Sequence, residues 1–262
     1  MKIWKLSYEL QDDFSSPVTG HVYSLRMVPR DMASQKIRDL KYSVSPCSAV
    51  SRGRDSFENS LLTGCVEEPH HRFLVRVESV VVVENIPEPE ERGSWQLGMF
   101  RYGTELTETG PNLDAFYKSL PSRGGEDDWT RAGHLMEMVA DSFRYESGST
   151  DVSTTAEQAF SQGCGVCQDY SHILLALLRK EGMTARYVAG AIPGEGQTHA
   201  WTEVYQNGLW KGFDPTNRCL ADDGYIRLAL GRDARDCSLN RGIFRGNASQ
   251  AQKVSVKMEE EI

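Results

Sequence analysis

The sequence has few of the features that mark membrane, low-complexity and disulfide-rich proteins. No unbroken apolar run approaches the roughly 20 residues that a membrane-spanning helix needs. With 23 glycines and 10 prolines in 262 residues, the composition is neither collagen-like nor that of a disordered chain. Six cysteines are too few for a disulfide scaffold in a chain of this length. We therefore expect a folded protein of a reducing, cytoplasmic compartment.

Basic charge is also scarce, and this limits the classes of partner. The chain has 29 Lys and Arg residues against 37 Asp and Glu residues, which gives a net charge of −8 and an isoelectric point near 5.3. An acidic chain without a basic block argues against nucleic acid or an anionic membrane as a partner. The alternating N-terminal segment 1–8 has no apolar signal core, so we expect no export.

The N-terminal third of the sequence has the period of β-strands. Apolar and polar residues alternate in four segments, which are residues 4–10, 23–27, 40–44 and 73–83. This period of two is typical of half-buried strands. We predict a small antiparallel β-sandwich domain over residues 1–84, with Ser51–Asp55 as one of its loops.

A stretch rich in proline and glutamate, residues 85–98, is the best candidate for a linker. Beyond it, helical spacing of apolar residues is followed by strand spacing, which predicts an α+β domain over residues 99–262. The predicted helices are 114–120, 129–145, a short one at the capping box Thr154–Glu157, and one from about Cys167 to Gly182. The predicted strands are 185–192, 199–205, 209–213, 225–230 and 253–256.

Cys167 is the first candidate for chemistry. It follows a glycine break and opens an amphipathic helix, where backbone N–H groups and the positive helix end favour a thiolate. A thiolate catalyst also needs a general base, and that base needs an orienting partner. His199 opens a predicted strand, and Asp214 ends the next one. The tight turn Gln206–Gly208 between these two antiparallel strands would bring the Asp beside the His.

Three local segments show a family resemblance. Gly165–His172, His199–Val204 and Gly212–Asn217 resemble, in order and in spacing, the three signature segments of the transglutaminase-like superfamily. Outer segments such as Leu25–Arg30 and Tyr225–Asp233 are similar to those of bacterial members with an N-terminal β domain. The resemblance implies a bacterial transglutaminase-like cysteine protease. Its core would be papain-like, with a catalytic cysteine at a helix N-terminus packed on an antiparallel sheet.

The resemblance also implies a role for each site residue. Cys167 is the nucleophile, His199 the general base and acid, and Asp214 the residue that orients the imidazole. The backbone N–H of Cys167 is expected to donate to the oxyanion, and no cofactor or metal is implied. The side-chain oxyanion donor stays open between Trp129, Tyr145 and Gln168. Ala234 departs from the family pattern, which leads us to expect an aromatic residue there.

Several polar residues near these segments have a structural interpretation. We expect His172 and Asp169 to serve the packing and hydrogen bonding of the helix. The pair His70–His71 is interpreted as a satisfied loop pair rather than a metal site. Glu203 shares a strand face with His199, so it either supports the site or is a charge on the strand surface.

The leading functional hypothesis is thiol-dependent hydrolysis of a peptide or amide bond through a thioester. A true transglutaminase, which transfers the acyl group to an amine, is the alternative enzyme. We favour hydrolysis because the only long loop between Cys167 and Asp214 is Pro193–Thr198, a small lid that leaves the thioester open to water unless the β domain supplies a wall. Other classes are a catalytically silent binding module and a redox or zinc protein built on the motif Cys164-x-x-Cys167. The oligomeric state stays open.

Overall fold

In the part of the chain that the structure describes, the fold consists mainly of two antiparallel sheets and four α-helices. The computed structural model describes residues 1–47, 49–90, 93 and 97–261. One sheet has eight strands and the other six, and a short parallel pair joins two further strands. The predicted α+β fold class is confirmed. In the part of the chain that is described, no helix is both long and apolar enough to cross a membrane.

The helices are α1 (Pro111–Ser119), α2 (Asp128–Ser142), α3 (Ala156–Gln162) and α4 (Cys167–Lys180), and a 3₁₀ turn covers Gly98–Phe100. The strands are, in chain order, β1 (Lys2–Leu25), β2 (Gln35–Ser45), β3 (Ser51–Arg54), β4 (Ser60–Val66), β5 (His70–Val83), β6 (Glu88–Pro89), β7 (Arg144–Tyr145), β8 (Cys164–Gly165), β9 (Ala185–Ala191), β10 (Gly194–Gly196), β11 (His199–Gln206), β12 (Leu209–Asp214), β13 (Cys219–Ala221), β14 (Ile226–Gly231), β15 (Asn240–Arg245) and β16 (Gln250–Glu260).

Strand β1 is the centre of the eight-stranded sheet. It runs for 24 residues and pairs antiparallel with β5 and β16 in its first half, and with β4 and β15 near its end. Every second residue in the first half of β1 is buried and packs in the same core as the buried residues of β5. These β1 residues are Trp4, Leu6, Tyr8 and Leu10. The period of two therefore reflects one apolar face of a strand, as the sequence analysis expects.

One expected loop of this region is a strand. Ser51–Arg54 forms β3, which pairs with β4. All four residues of β3 are exposed. A strand with neither face buried has no apolar alternation, so the sequence pattern does not reveal it.

Strands β15 and β16 lie in the eight-stranded sheet rather than beside the strands of the core. The β16 pairing with β1 runs from Trp4↔Glu260 to Phe14↔Gln250, and β15 pairs with the last part of β1. The predicted domain 99–262 therefore does not hold for residues 240–260. Local alternation indicates that a segment is a strand, but the choice of a partner more than 200 residues away depends on long-range packing.

The predicted linker 85–98 also contains an element. Glu88–Pro89 forms β6, which pairs with Leu209–Trp210 of β12. The Glu88 carboxylate accepts hydrogen bonds from the backbone N–H groups of Ala33 at 2.9 Å and Ser34 at 2.7 Å. Residues 91, 92 and 94–96 lie outside the described residues. The described part of the segment thus joins the two sheets by hydrogen bonds.

Helix α4 packs against the six-stranded sheet, whose main strand order is β13-β12-β11-β9-β14. Its apolar residues Ile173, Leu174 and Leu177 are fully buried, which is the physical reason for their helical spacing. The chain leaves the helix through Gly182, whose φ of +76° is a conformation that glycine adopts without steric cost.

Two helices have an end at a different residue in the structure from the one that the sequence predicts. Helix α2 stops at Ser142, because Phe143 is extended (φ −137°) and leads into β7, which pairs with β8. Helix α3 is capped by Thr155 and Gln158, one residue later than the predicted capping box. Glu157 instead accepts hydrogen bonds from backbone N–H groups at the start of α1. A long-range contact therefore competes with the local cap.

Candidate active site

Cys167 is the first residue of α4 and follows the extended residue Val166. The side chain of Asp169 folds back and accepts a hydrogen bond from the Val166 N–H at 2.8 Å, and another from the Thr150 hydroxyl at 2.6 Å. A Cβ at Gly165 would lie 2.4 Å from a carboxylate oxygen of Asp169. Glycine is therefore required where the chain passes this carboxylate, and the helix start is held in a fixed position. Asp169 has the structural role that the sequence analysis assigns to it.

His199 and Asp214 lie on neighbouring antiparallel strands, β11 and β12. The strands are joined by a tight turn in which Asn207 and Gly208 have φ values of 51° and 86°. This geometry brings His199 Nε2 to 2.6 Å from Asp214 Oδ2. Asp214 is fully buried and His199 is nearly so, with 0% and 9% of their surfaces exposed. The hydrogen bond is therefore shielded from water.

The Asp214 carboxylate has four further hydrogen bonds. One oxygen accepts from the backbone N–H groups of Thr216 at 2.9 Å and Asn217 at 3.1 Å. The other accepts from the Tyr225 hydroxyl and from the Asn217 side chain, both at 2.8 Å. Burial raises the pKa of Asp214, but these donors and His199 outweigh it and hold the pKa below its ordinary value. The group stays an anion that fixes one side of the imidazole.

The His199 imidazole also forms a hydrogen bond with the Cys167 thiol. Because Nε2 is engaged by Asp214, we assign this second contact to Nδ1. Burial lowers the pKa of His199, but hydrogen bonds to Asp214 and Cys167 outweigh it and raise the pKa to about 9. The imidazole is therefore protonated at neutral pH. The Cys167 side chain at the start of α4 is therefore in contact with a cationic imidazole.

Tyr225 and Asn217 were missed as site residues by the sequence analysis. Asn217 belongs to the segment Gly212–Asn217 that shows the resemblance, so its position after Asp214 was a usable signal. Tyr225 comes from the start of β14, and local sequence gives no sign that its hydroxyl reaches Asp214. Trp201, two residues after His199, fits against Gly190, where a Cβ would lie 2.5 Å from the indole. This packing fixes the strand that presents the imidazole.

A cleft of about 720 Å³ opens over Cys167 and His199. One of its walls comes from the eight-stranded sheet, with Tyr8 and Leu10 of β1 and Gln252 and Val254 of β16. The N-terminal region therefore does supply a wall, as the sequence analysis allowed. The predicted lid is partly fixed as well, because β10 pairs with β16 and leaves only Gln197 and Thr198 of that loop lining the cleft.

The three candidate oxyanion side chains differ in position. The Trp129 indole donates to the Val204 carbonyl at 2.9 Å, and Tyr145 is exposed on β7. Gln168 lines the cleft directly after Cys167. Of these three, only Gln168 is a cleft residue. The backbone N–H groups of Cys167 and Gln168 precede the first backbone hydrogen bonds of α4, which Asp169 and Tyr170 donate to the Val166 carbonyl.

Two of the remaining polar residues are buried and structural. His172 is fully buried and accepts a hydrogen bond from the Ala234 N–H at 3.1 Å, and burial lowers its pKa to about 4. Glu203 is fully buried between Arg186, at 2.6 Å, and Arg227, at 2.5 Å. Burial raises the pKa of Glu203, but the two arginines outweigh it and lower the pKa to about 2. Glu203 is therefore an internal ion-pair residue of the strand that begins at His199.

The residues that the sequence analysis considers for a metal site or for redox chemistry contact other side chains in the structure. His70 stacks on His21, with ring nitrogens 3.3 Å apart, so the pair His70–His71 is not a simple loop pair. Cys164 is buried and lies 3.6 Å from the side-chain nitrogen of Gln162. All six cysteines are free thiols. Within the described ranges no group of three or more His, Cys, Asp or Glu side chains has the arrangement of a metal site.

Comparison with known proteins places this site in a family context. A model of the transglutaminase-like superfamily matches residues 118–215, and a model of the bacterial transglutaminase-like N-terminal region matches residues 5–82. A protein of Mycobacterium leprae is 26% identical over 272 residues and covers 94% of both chains. A protein of Mycobacterium tuberculosis is 28% identical over an alignment of 290 positions, gaps included, which covers 95% of this chain and 89% of that one. Both relatives are named only as uncharacterized proteins.

A solved structure extends the similarity to the fold as a whole. The crystal structure of a candidate cysteine protease from Cytophaga hutchinsonii has a TM-score of 0.81 to this chain at 22% identity, and covers 99% of this chain and 90% of that one. At this identity the match shows a shared fold. The chain therefore has a transglutaminase-like core, preceded by a bacterial transglutaminase-like N-terminal region.

Proposed function

We propose that the protein is a thiol-dependent acyl-transfer enzyme that hydrolyses a peptide or amide bond through a cysteine thioester. Cys167 is the nucleophile, His199 the general acid and base, and Asp214 the orienting carboxylate. The observation that supports this most directly is the 2.6 Å hydrogen bond from His199 Nε2 to buried Asp214, together with the contact of the same imidazole with the Cys167 thiol at a helix start. A scaffold has no physical need for this arrangement.

The chemistry follows from these positions. The Cys167 thiolate attacks the carbonyl carbon, and the resulting oxyanion is stabilised by N–H groups at the start of α4. As the carbon–nitrogen bond breaks, the His199 imidazolium donates its Nδ1 proton to the leaving amine, and a thioester remains on Cys167. The neutral imidazole then takes a proton from water as the water oxygen attacks the thioester carbonyl. The carbon–sulfur bond breaks, the acid product is released, and the thiolate–imidazolium pair is restored.

Transfer to an amine is the second candidate, and one observation favours it. The thioester is identical in both reactions, so the outcome depends on whether water or an amine reaches it. The wall formed by β1 and β16 encloses the site more than the segment between Cys167 and Asp214 does by itself. We keep hydrolysis as the proposal because the cleft-lining residues Val152, Ser153 and Gln197 are exposed, which leaves the thiol open to water.

A cytoplasmic location is also part of the proposal. A nucleophilic thiol must stay reduced, and the six cysteines of the chain are free. A reducing compartment preserves this state. The substrate is a peptide or amide, and neither nucleic acid nor a membrane is proposed as a partner.

The deciding experiment traps the thioester. The protein is incubated with a bacterial cell extract, quenched in acid and digested, and Cys167 peptides are searched for acyl adducts by mass spectrometry. We expect adducts on Cys167 in the wild type, and none at this position in Cys167→Ala. A labelled primary amine in millimolar excess separates the two reactions. More labelled amide than free acid would replace hydrolysis with amine transfer, and adducts spread evenly over the six cysteines would contradict the proposal.

A further inference from the structure

The charge of the cleft is opposite to the charge of the chain. The whole protein has a net charge of −8. The ordinarily charged side chains that line the cleft are two arginines, Arg235 and Arg241, and none of its described lining residues is Asp or Glu. The protonated His199 at its floor is paired with the Asp214 carboxylate, so the positive charge of the cleft comes from the two arginines. A positive cleft in an acidic protein concentrates anionic ligands.

The two arginines differ in their partners. Arg235 pairs with Glu105 at 2.5 Å on an exposed surface. Arg241 has no ion pair or hydrogen bond from its guanidinium to any residue within the described ranges, and it is exposed at the start of β15. A planar guanidinium with free donors is suited to bind a carboxylate through two parallel hydrogen bonds.

The position of Arg241 relates it to the thiol. It stands on β15, opposite Ser24 of β1, and so belongs to the wall that the eight-stranded sheet contributes. Cys167 lines the same cleft of about 720 Å³. A substrate whose carbonyl carbon is at Cys167 can therefore place another group against Arg241 without leaving the cleft.

We propose that Arg241 binds a carboxylate of the acyl donor, so that the enzyme selects acidic peptides or amides. This inference rests on the proposed function, because it concerns the substrate of the same site. Arg241 is then a specificity-determining residue on the N-terminal sheet, which gives that sheet a part in substrate choice. An exposed arginine elsewhere on the surface would have no such effect.

The test uses two thiol reagents that differ in one group. Iodoacetyl-β-alanine ends in a carboxylate, and iodoacetyl-β-alaninamide ends in the neutral amide of the same shape. Alkylation rates of Cys167 are measured by peptide mass spectrometry and divided by the rates with free N-acetylcysteine. We expect the wild type to prefer the anionic reagent by about tenfold, which corresponds to about 1.4 kcal/mol. The preference should shrink at high salt, which screens exposed charges.

Two variants complete the experiment. Arg241→Gln should reduce the preference to what Arg235 and His199 together produce, several-fold below the wild type. Arg245→Gln removes the same charge from the same strand, outside the cleft, and should keep the full preference. An equal preference in wild type and Arg241→Gln would overturn the inference and leave the proposed function standing. If Cys167 reacts no faster than the other thiols with either reagent, the proposed function fails and the inference fails with it.

Discussion

The ion pairs of Glu203 should contribute more to stability than any surface ion pair of the molecule. Glu203 is fully buried, and its two oxygens contact Arg227 at 2.5 Å and Arg186 at 2.6 Å. In Glu203→Gln the shape is kept, but one oxygen becomes an amide group that meets a guanidinium donor. Arg227, which is 4% exposed, loses its ion pair, whereas Arg186 retains Glu90 at 3.9 Å. Breaking a buried pair in this way costs about 3–5 kcal/mol.

This loss is a large fraction of the free energy of unfolding of a typical domain, which is about 5–15 kcal/mol. We expect urea unfolding, followed by circular dichroism, to show a much lower midpoint for Glu203→Gln. Glu9→Gln is the matched control, because Glu9 pairs with Arg76 at the same distance of 2.6 Å but on an exposed face. Exposed pairs of this kind contribute little. Equal losses in the two variants would refute the argument that burial, rather than distance, decides the effect.

The pH dependence has a definite sign. The pKa of Glu203 is about 2 in the folded protein, below the ordinary 4.5. The folded state therefore holds the anion more strongly, and its stabilising contribution is present above pH 4.5 and is lost as the pH falls through about 2. Wild-type stability should decline in this acid range. Glu203→Gln should decline less there, since it lacks the group.

Three further predictions concern the site and its strand. Cys167→Ala and His199→Ala should abolish acyl transfer, while their thermal unfolding stays close to that of the wild type. Asp214→Asn should keep a small residual rate, because Asp214 orients the imidazole and forms no bond to substrate. Turnover by Cys167→Ala at the wild-type rate would contradict the assignment. The rate of acyl transfer should fall as the pH rises through about 9, where His199 loses the proton that the leaving amine needs, and a pH–rate profile measures this. The stability that the protonated His199 contributes is fully present below pH 6.5 and should be lost as the pH rises from 6.5 through about 9. Gly190→Ala should destabilise the folded protein by about 1–3 kcal/mol, since the added Cβ would lie 2.1 Å from a backbone oxygen of β14. Gly53→Ala is the control: its Cβ would meet no atom within 4 Å, so it should be near neutral in the same denaturation assay.

Local sequence patterns predicted the elements whose residues have one buried face. The alternation in β1 and β5 and the helical spacing in α4 both reflect apolar side chains packed on a single side. Cys167, His199 and Asp214 were found from three short segments, since each segment combines a reactive side chain with the turn or glycine that positions it. These features are local, so a single sequence contains them.

Features that depend on distant partners were not predictable in this way. The segment Gln250–Glu260 has the alternation of a strand, yet its partner is β1, at the other end of the chain. Glu203 is a charged residue on a strand, and nothing near it in sequence shows that Arg186 and Arg227 enclose it. Glu157 fits a local cap but hydrogen-bonds to another helix. In each case the deciding contact comes from a residue that local patterning does not identify.

The pairing of β16 with β1 affects the order in which the protein is completed during synthesis. Residues 4–14 leave the ribosome early, but their partners at residues 250–260 emerge only after the whole core has been made. Pairing across so long a loop is slow, because closure entropy must be overcome before the contacts form. Gln252 and Val254 of β16 line the cleft over Cys167. A nascent chain therefore contains Cys167 before it has this wall of the cleft, and the cleft is complete only when β16 docks.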